Sequence, residues 1–149
     1  AATANHSKAD LFISLHTGAG FVHAAQGLTV YYYQSGSPGT GSIAEGAVVT
    51  EPRHWKDLQQ RYAAASKALA THMQRTLEAM PQRPSCQVRG APLAVLQGVD
   101  MPAILIEVGH ITHPTTEKLL SQSHGLEALV NAIDQGIERF LTELPPKKK

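Results

Sequence analysis

Residues 103–109 read AILIEVG: four apolar residues, then a glutamate, a valine and a glycine. The run Ala103 to Val108 is short, rich in branched side chains and closed by a turn former, which predicts a strand. Its apolar residues are consecutive rather than alternating, as in a parallel strand covered on both faces. Glu107 is the exception in that run. A buried carboxylate is costly unless it is paired, hydrogen-bonded or beside a metal. The residue reads either as the general base of a metal-assisted hydrolysis or as a helix cap or surface ion pair.

The same pattern occurs upstream. Asp10 to Leu15 is a second apolar strand, followed by His16 and the turn formers Thr17-Gly18-Ala19-Gly20. Gly27 to Tyr33 is a third strand, and Gln87 to Arg89 with Leu93 to Leu96 form a weaker pair around Gly90-Ala91-Pro92. Helices alternate with these strands. Trp55, Leu58, Tyr62, Ala65, Leu69, Met73 and Leu77 recur at helical spacing on one long helix ending near Pro81. A second helix follows Pro114, with Leu119 and Leu120 inward. A third runs from about Gly125 to Leu144, burying Leu126, Leu129, Val130, Ile133, Ile137, Phe140 and Leu141. Gln34 to Pro52, rich in Gly, Ser and Pro, is a long loop of the kind that is usually functional or mobile. The order predicts an α/β domain with a mostly parallel sheet flanked by helices.

Ligands of open α/β sheets bind beyond the carboxyl ends of the strands. His16 and Glu107 both stand at such ends, so the pattern brings them together. A neutral imidazole is a common zinc ligand, although a histidine after a strand also serves as a hydrogen-bonded structural residue. His110 and His113, in Gly109-His110-Ile111-Thr112-His113-Pro114, can line the same cleft. His6, His54, His72 and His124 read as surface residues in or beside helices. The eight histidines include no His-x-x-x-His pair.

Composition removes several classes of function. With 13 basic and 12 acidic side chains the net charge is +1, and no basic patch marks nucleic-acid binding. Lys147-Lys148-Lys149 follows Pro145-Pro146 and reads as a solvated tail. Cys86 is the single cysteine, so neither an intrachain disulfide nor a thiolate cluster is available. No apolar run approaches the roughly 20 residues of a membrane span.

Taken in order, ANHSKADLFISLH (4–16), GLTVYYY (27–33), APLAVLQGVDMPAILIEVGHITHPTTEKLL (91–120) and ALVNAIDQGIERFL (128–141) resemble successive blocks of the zinc-dependent N-acetylmuramoyl-L-alanine amidases of the type 3 family. The resemblance implies a phosphorylase/hydrolase-like fold over residues 1–144, lacking its N-terminal strand and helix, with 145–149 a disordered tail. It implies hydrolysis, by zinc-activated water, of the amide between N-acetylmuramic acid and the L-alanine of the peptidoglycan stem peptide. His16 then corresponds to a zinc ligand and Glu107 to the catalytic acid/base. The family's two other zinc ligands, a histidine and a glutamate, lie upstream of the ANHSKADLF block. The chain alone is therefore expected to bind Zn2+ poorly and to be inactive, with an unpaired sheet edge open to self-association.

Departures from the family pattern are Thr17-Gly18 in place of Ala-Asn or Ala-Asp, Gln97 in place of an arginine, and His110 and His113 in place of an aromatic residue and an asparagine. The implied setting is exported, in the periplasm or cell wall. The implied partner is peptidoglycan or a muropeptide, with no nucleic acid and no membrane span. Two further readings stay open: a non-catalytic peptidoglycan-binding module of the same fold, and a zinc carboxypeptidase of related architecture.

Overall fold

The computed structural model describes residues 1–18, 27–35, 55–82 and 84–143. Strands β1 (Phe12–Gly18), β2 (Leu28–Tyr33), β3 (Cys86–Ala91) and β4 (Ala103–His110) form one sheet in the order β1-β4-β2-β3. β1 lies parallel to β4 and β2 parallel to β3, while β2 runs antiparallel to β4. The α/β architecture is as expected, and the sheet is mixed, with two strands running each way. An apolar run reports burial and carries no mark of direction, so the reversal of β2 has no signature in the sequence.

β4 is central, and its residues 103–106 and 108 are buried, as the unbroken apolar run requires. The first strand differs from its expected burial on both faces. Among the described residues β1 is an edge strand paired only with β4, and Leu15 near its end is 58% exposed.

Among the described residues five helical segments accompany the sheet: α1 (Ala2–His6), a 3-10 helix (Trp55–Tyr62), α2 (Ala63–Glu78), α3 (Pro114–Ser121) and α4 (Ser123–Glu143). The larger core joins Leu69, Met73 and Leu77 of α2 and Leu129 and Phe140 of α4 to Leu28, Val30, Ile104 and Ile106 of the sheet. A smaller core covers the opposite face, where Tyr33, Ala103 and Leu105 meet Leu96, Val99 and Met101. Asn5 of α1 pins the loop closing that second core. Its amide donates to Gly98 O at 2.8 Å, and its carbonyl accepts from Asp100 N at 2.9 Å.

Four local expectations are corrected. The long helix opens as a 3-10 helix, because buried Gln59 is drawn to the same loop, donating to Val99 O at 2.5 Å and Met101 O at 2.6 Å. Leu93 to Leu96 forms turns rather than a strand: Leu96 N and Gln97 N both bond to Leu93 O, which carries Leu96 into the second core. In α4 the buried residues are Gly125, Leu129, Ala132, Gly136 and Phe140, whereas Leu126, Val130 and Leu141 are exposed. The small residue Gly136 lets α4 approach α2 so closely that a Cβ there would stand 2.9 Å from Met73 Sδ. His72 is buried, its Nε2 held 2.9 Å from Glu143 Oε2 and its ring tilted against Phe140. It faces α4, which the helical spacing of one segment alone does not reveal. The loop Gln34 to Pro52 (beyond residue 35), His54 and the tail 145–149 lie outside the described residues.

Cys86 is buried in the larger core, and burial, reinforced by the nearby Glu78 charge, pushes its thiol up to about 12. A thiol so far from ionisation is no candidate nucleophile. The Gln59 contacts generate a stability test. Gln59→Leu leaves two buried carbonyls without their donor and should cost about 2 kcal/mol or more in urea unfolding. A loss below about 0.5 kcal/mol would show that the 3-10 segment does not depend on this side chain.

Candidate active site

Parallel register decides what stands beside what. Phe12 pairs with Ala103, Ser14 with Leu105 and His16 with Glu107, and paired residues in a sheet project from the same face. On β2, Thr29 is the partner of Glu107, and on β3, Gln87 is the partner of Thr29. His16, Glu107, Thr29 and Gln87 thus form one polar row across all four strands. It lies on the face of the smaller core, one step beyond the row that includes Leu105 and Tyr31. His16 and Gln87 are exposed, while Glu107 and Thr29 are half-buried. The carboxylate is therefore neither stranded in the core nor fully in water.

The two expected residues are adjacent, as their strand-end positions require. Thr29 and Gln87 were not anticipated, because they come from strands whose direction and register the sequence does not display. Gln87 is held from the next row, where Arg89 donates to its Oε1 from Nε at 3.0 Å and from Nη2 at 2.6 Å.

Beyond Glu107 the strand changes course. Gly109 has φ +98, a left-handed conformation that glycine adopts without Cβ strain, and the β1–β4 register shifts between His16 and Gly18. Regular alternation would put Glu107 and His110 on opposite faces. Here both reach the same spot: a Cβ added to Gly18 would stand 2.5 Å from Glu107 Oε1 and 2.5 Å from His110 Nδ1. The Nδ1 atom is buried and has no hydrogen-bond partner among the described residues.

His113 is placed differently. Its Nδ1 caps α3 by accepting from Thr115 N at 3.3 Å. It also lines a cleft of about 530 Å3 with Leu28, Val108, Lys118 and His124. Leu28 and Val108 belong to the helix-covered face, so this cleft lies across the sheet from Glu107. Among the described residues no group of three or more His, Cys, Asp and Glu side chains is arranged to hold a metal ion. His16 offers an exposed imidazole, a donor type that zinc accepts, and so fits one ligand position of a zinc site, with the Glu107 carboxylate beside it.

Residues 1–139 match the family described as N-acetylmuramoyl-L-alanine amidase. The chain belongs to that family. Within it, the germination-specific N-acetylmuramoyl-L-alanine amidase of Bacillus subtilis is 28% identical over 139 residues, 93% of this chain and 48% of that protein. The probable cell wall amidase LytH of Staphylococcus epidermidis is 26% identical over 135 residues, 91% of this chain and 36% of that protein. A solved amidase from Clostridium difficile superposes with a TM-score of 0.70 at 26% identity, over 97% of this chain and 64% of that one. The chain thus spans half the length or less of the two sequence relatives. Among the described residues no helix is long and apolar enough to cross a membrane.

The turn after Glu107 gives this amidase-family site its test. Gly109→Ala forces a side chain into a left-handed backbone and brings its Cβ within 2.8 Å of Thr116 Oγ1. It should lower stability by about 1–3 kcal/mol in thermal or urea unfolding. An unchanged midpoint would show that the left-handed turn is not maintained in solution.

Proposed function

We propose that the protein carrying this chain is a peptidoglycan hydrolase that cleaves the amide between N-acetylmuramic acid and the L-alanine of the stem peptide. One observation carries the reading: a half-buried glutamate and an exposed imidazole stand side by side in register at the open end of one sheet face. Membership of the amidase family supports the reaction class. The name of the Staphylococcus relative supports action at the cell wall, and hence an exported protein.

Glu107 acts as general base and then general acid. Its carboxylate takes a proton from the attacking water and returns it to the departing L-alanine amine, so proton and leaving group balance. Half-burial suits this task, because the strand holds the carboxylate in place while water can still reach it. His16 would hold zinc together with ligands outside the described residues. Zinc, when bound, supplies polarisation of the amide carbonyl and acidification of water. Thr29 and Gln87 continue the row away from His16 and offer hydroxyl and amide groups to a polar substrate laid across the sheet.

Two variants of the full-length protein separate these roles. Glu107→Gln keeps the shape of the carboxylate without its basicity and should retain zinc while losing about 100-fold or more in release of stem peptide from purified peptidoglycan. His16→Ala should lower zinc content with little loss of folding stability, since the ring is exposed. Near-normal turnover in Glu107→Gln removes it from catalysis. Peptidoglycan binding by the unmodified protein without release of stem peptide would favour the non-catalytic module.

A further inference from the structure

Resting on the reading of Glu107 as the general base, we propose that His110 is its positioning residue, with Nδ1–H donating a hydrogen bond to the Glu107 carboxylate in the cradle left open by Gly18. Three observations converge on that cradle. Gly109, at φ +98, turns the end of β4 so that residue 110 comes round to the face of residue 107. Gly18, paired with His110, leaves room where a Cβ would lie 2.5 Å from Glu107 Oε1, 2.5 Å from His110 Nδ1 and 2.7 Å from His110 Cε1. Nδ1 is buried with no partner among the described residues, and a buried ring nitrogen left unpaired is costly.

Glu107 Oε1 and His110 Nδ1 flank the same space above Gly18, so the carboxylate is an acceptor on the side of the ring that lacks a bond. The proposed bond forms by a turn of the glutamate's outer torsions. One oxygen is then fixed by the imidazole, and the other is left to exchange the proton with water and amine. His110 touches neither substrate nor metal in this arrangement. Its effect is to narrow the orientations of the base, which shows in the chemical step rather than in binding.

The test uses full-length protein and purified peptidoglycan. His110→Phe, which keeps a planar ring without the donor, should lower kcat about tenfold or more with KM and zinc content unchanged. His110→Asn places an amide nitrogen near the position of Nδ1 and should recover most of that loss. Gly18→Ala keeps the imidazole and crowds the two groups apart, so it should lower kcat similarly, and it carries the test if His110→Phe does not fold. A readout independent of turnover is the long-range proton–nitrogen spectrum of the histidines: the His110 Nδ1 signal should move in Glu107→Ala.

Unchanged kcat in a folded His110→Phe protein overturns the proposal, as does a raised KM alone or an Nδ1 signal indifferent to Glu107→Ala. Loss of zinc in His110→Phe overturns it too, by making the residue a ligand. If instead Glu107→Gln retains full turnover, it is the general-base reading that has failed. The spectrum still reports whether the two side chains meet.

Discussion

The register of β1 against β4 is the constraint on which the site depends. Side chains alternate between faces along a strand, so a slip of one residue would send His16 to the opposite side from Glu107. The register is held by apolar pairing further down the same strands. Phe12 and Ala103 share the smaller core, Ile13 and Ile104 the larger one. The backbone bond from Phe12 N to Pro102 O, 3.0 Å long, fixes where the pairing begins. The chemistry at the ends of the strands is thus set by burial at their beginnings.

The site also depends on where the smaller core stops. Leu96, Val99 and Met101 come from an irregular segment rather than a helix, and that segment is tied down by Gln59 and Asn5. Its cover extends as far as Leu105 and leaves the next row to polar residues. Covering one row more would bury the glutamate; covering one row fewer would strand Leu105 in water. The larger core on the opposite face continues to Val108, so β4 is supported beneath Glu107 even where its other face is open. A rigid strand with one open end is what holds a base in place while water reaches it.

The legible parts of the fold were those written in local pattern. AILIEVG declares a buried strand with one polar exception, and the step from LFISL to His16 declares another; the structure pairs these two residues near the ends of adjacent strands. Features requiring knowledge of a partner were hidden. The inward face of α4 is set by the small residue Gly136 against Met73 rather than by its largest side chains, so Val130 and Leu141 misled. His72 reads as a surface residue until α4 brings Glu143 to it. Thr29 and Gln87 join the row only through the direction of β2. The encounter of His110 with Glu107 requires both a left-handed Gly109 and an empty Gly18. The sequence contains both glycines but does not show that Gly18 lies opposite His110.

The register itself is open to direct measurement in solution. Backbone nuclear Overhauser contacts across β1 and β4 in the labelled full-length protein should pair His16 with Glu107 and Ser14 with Leu105, with Thr29 facing Glu107 from the other side. Contacts that instead pair His16 with Ile106 or Val108 would place the imidazole on the other face of the sheet and contradict the site at its foundation.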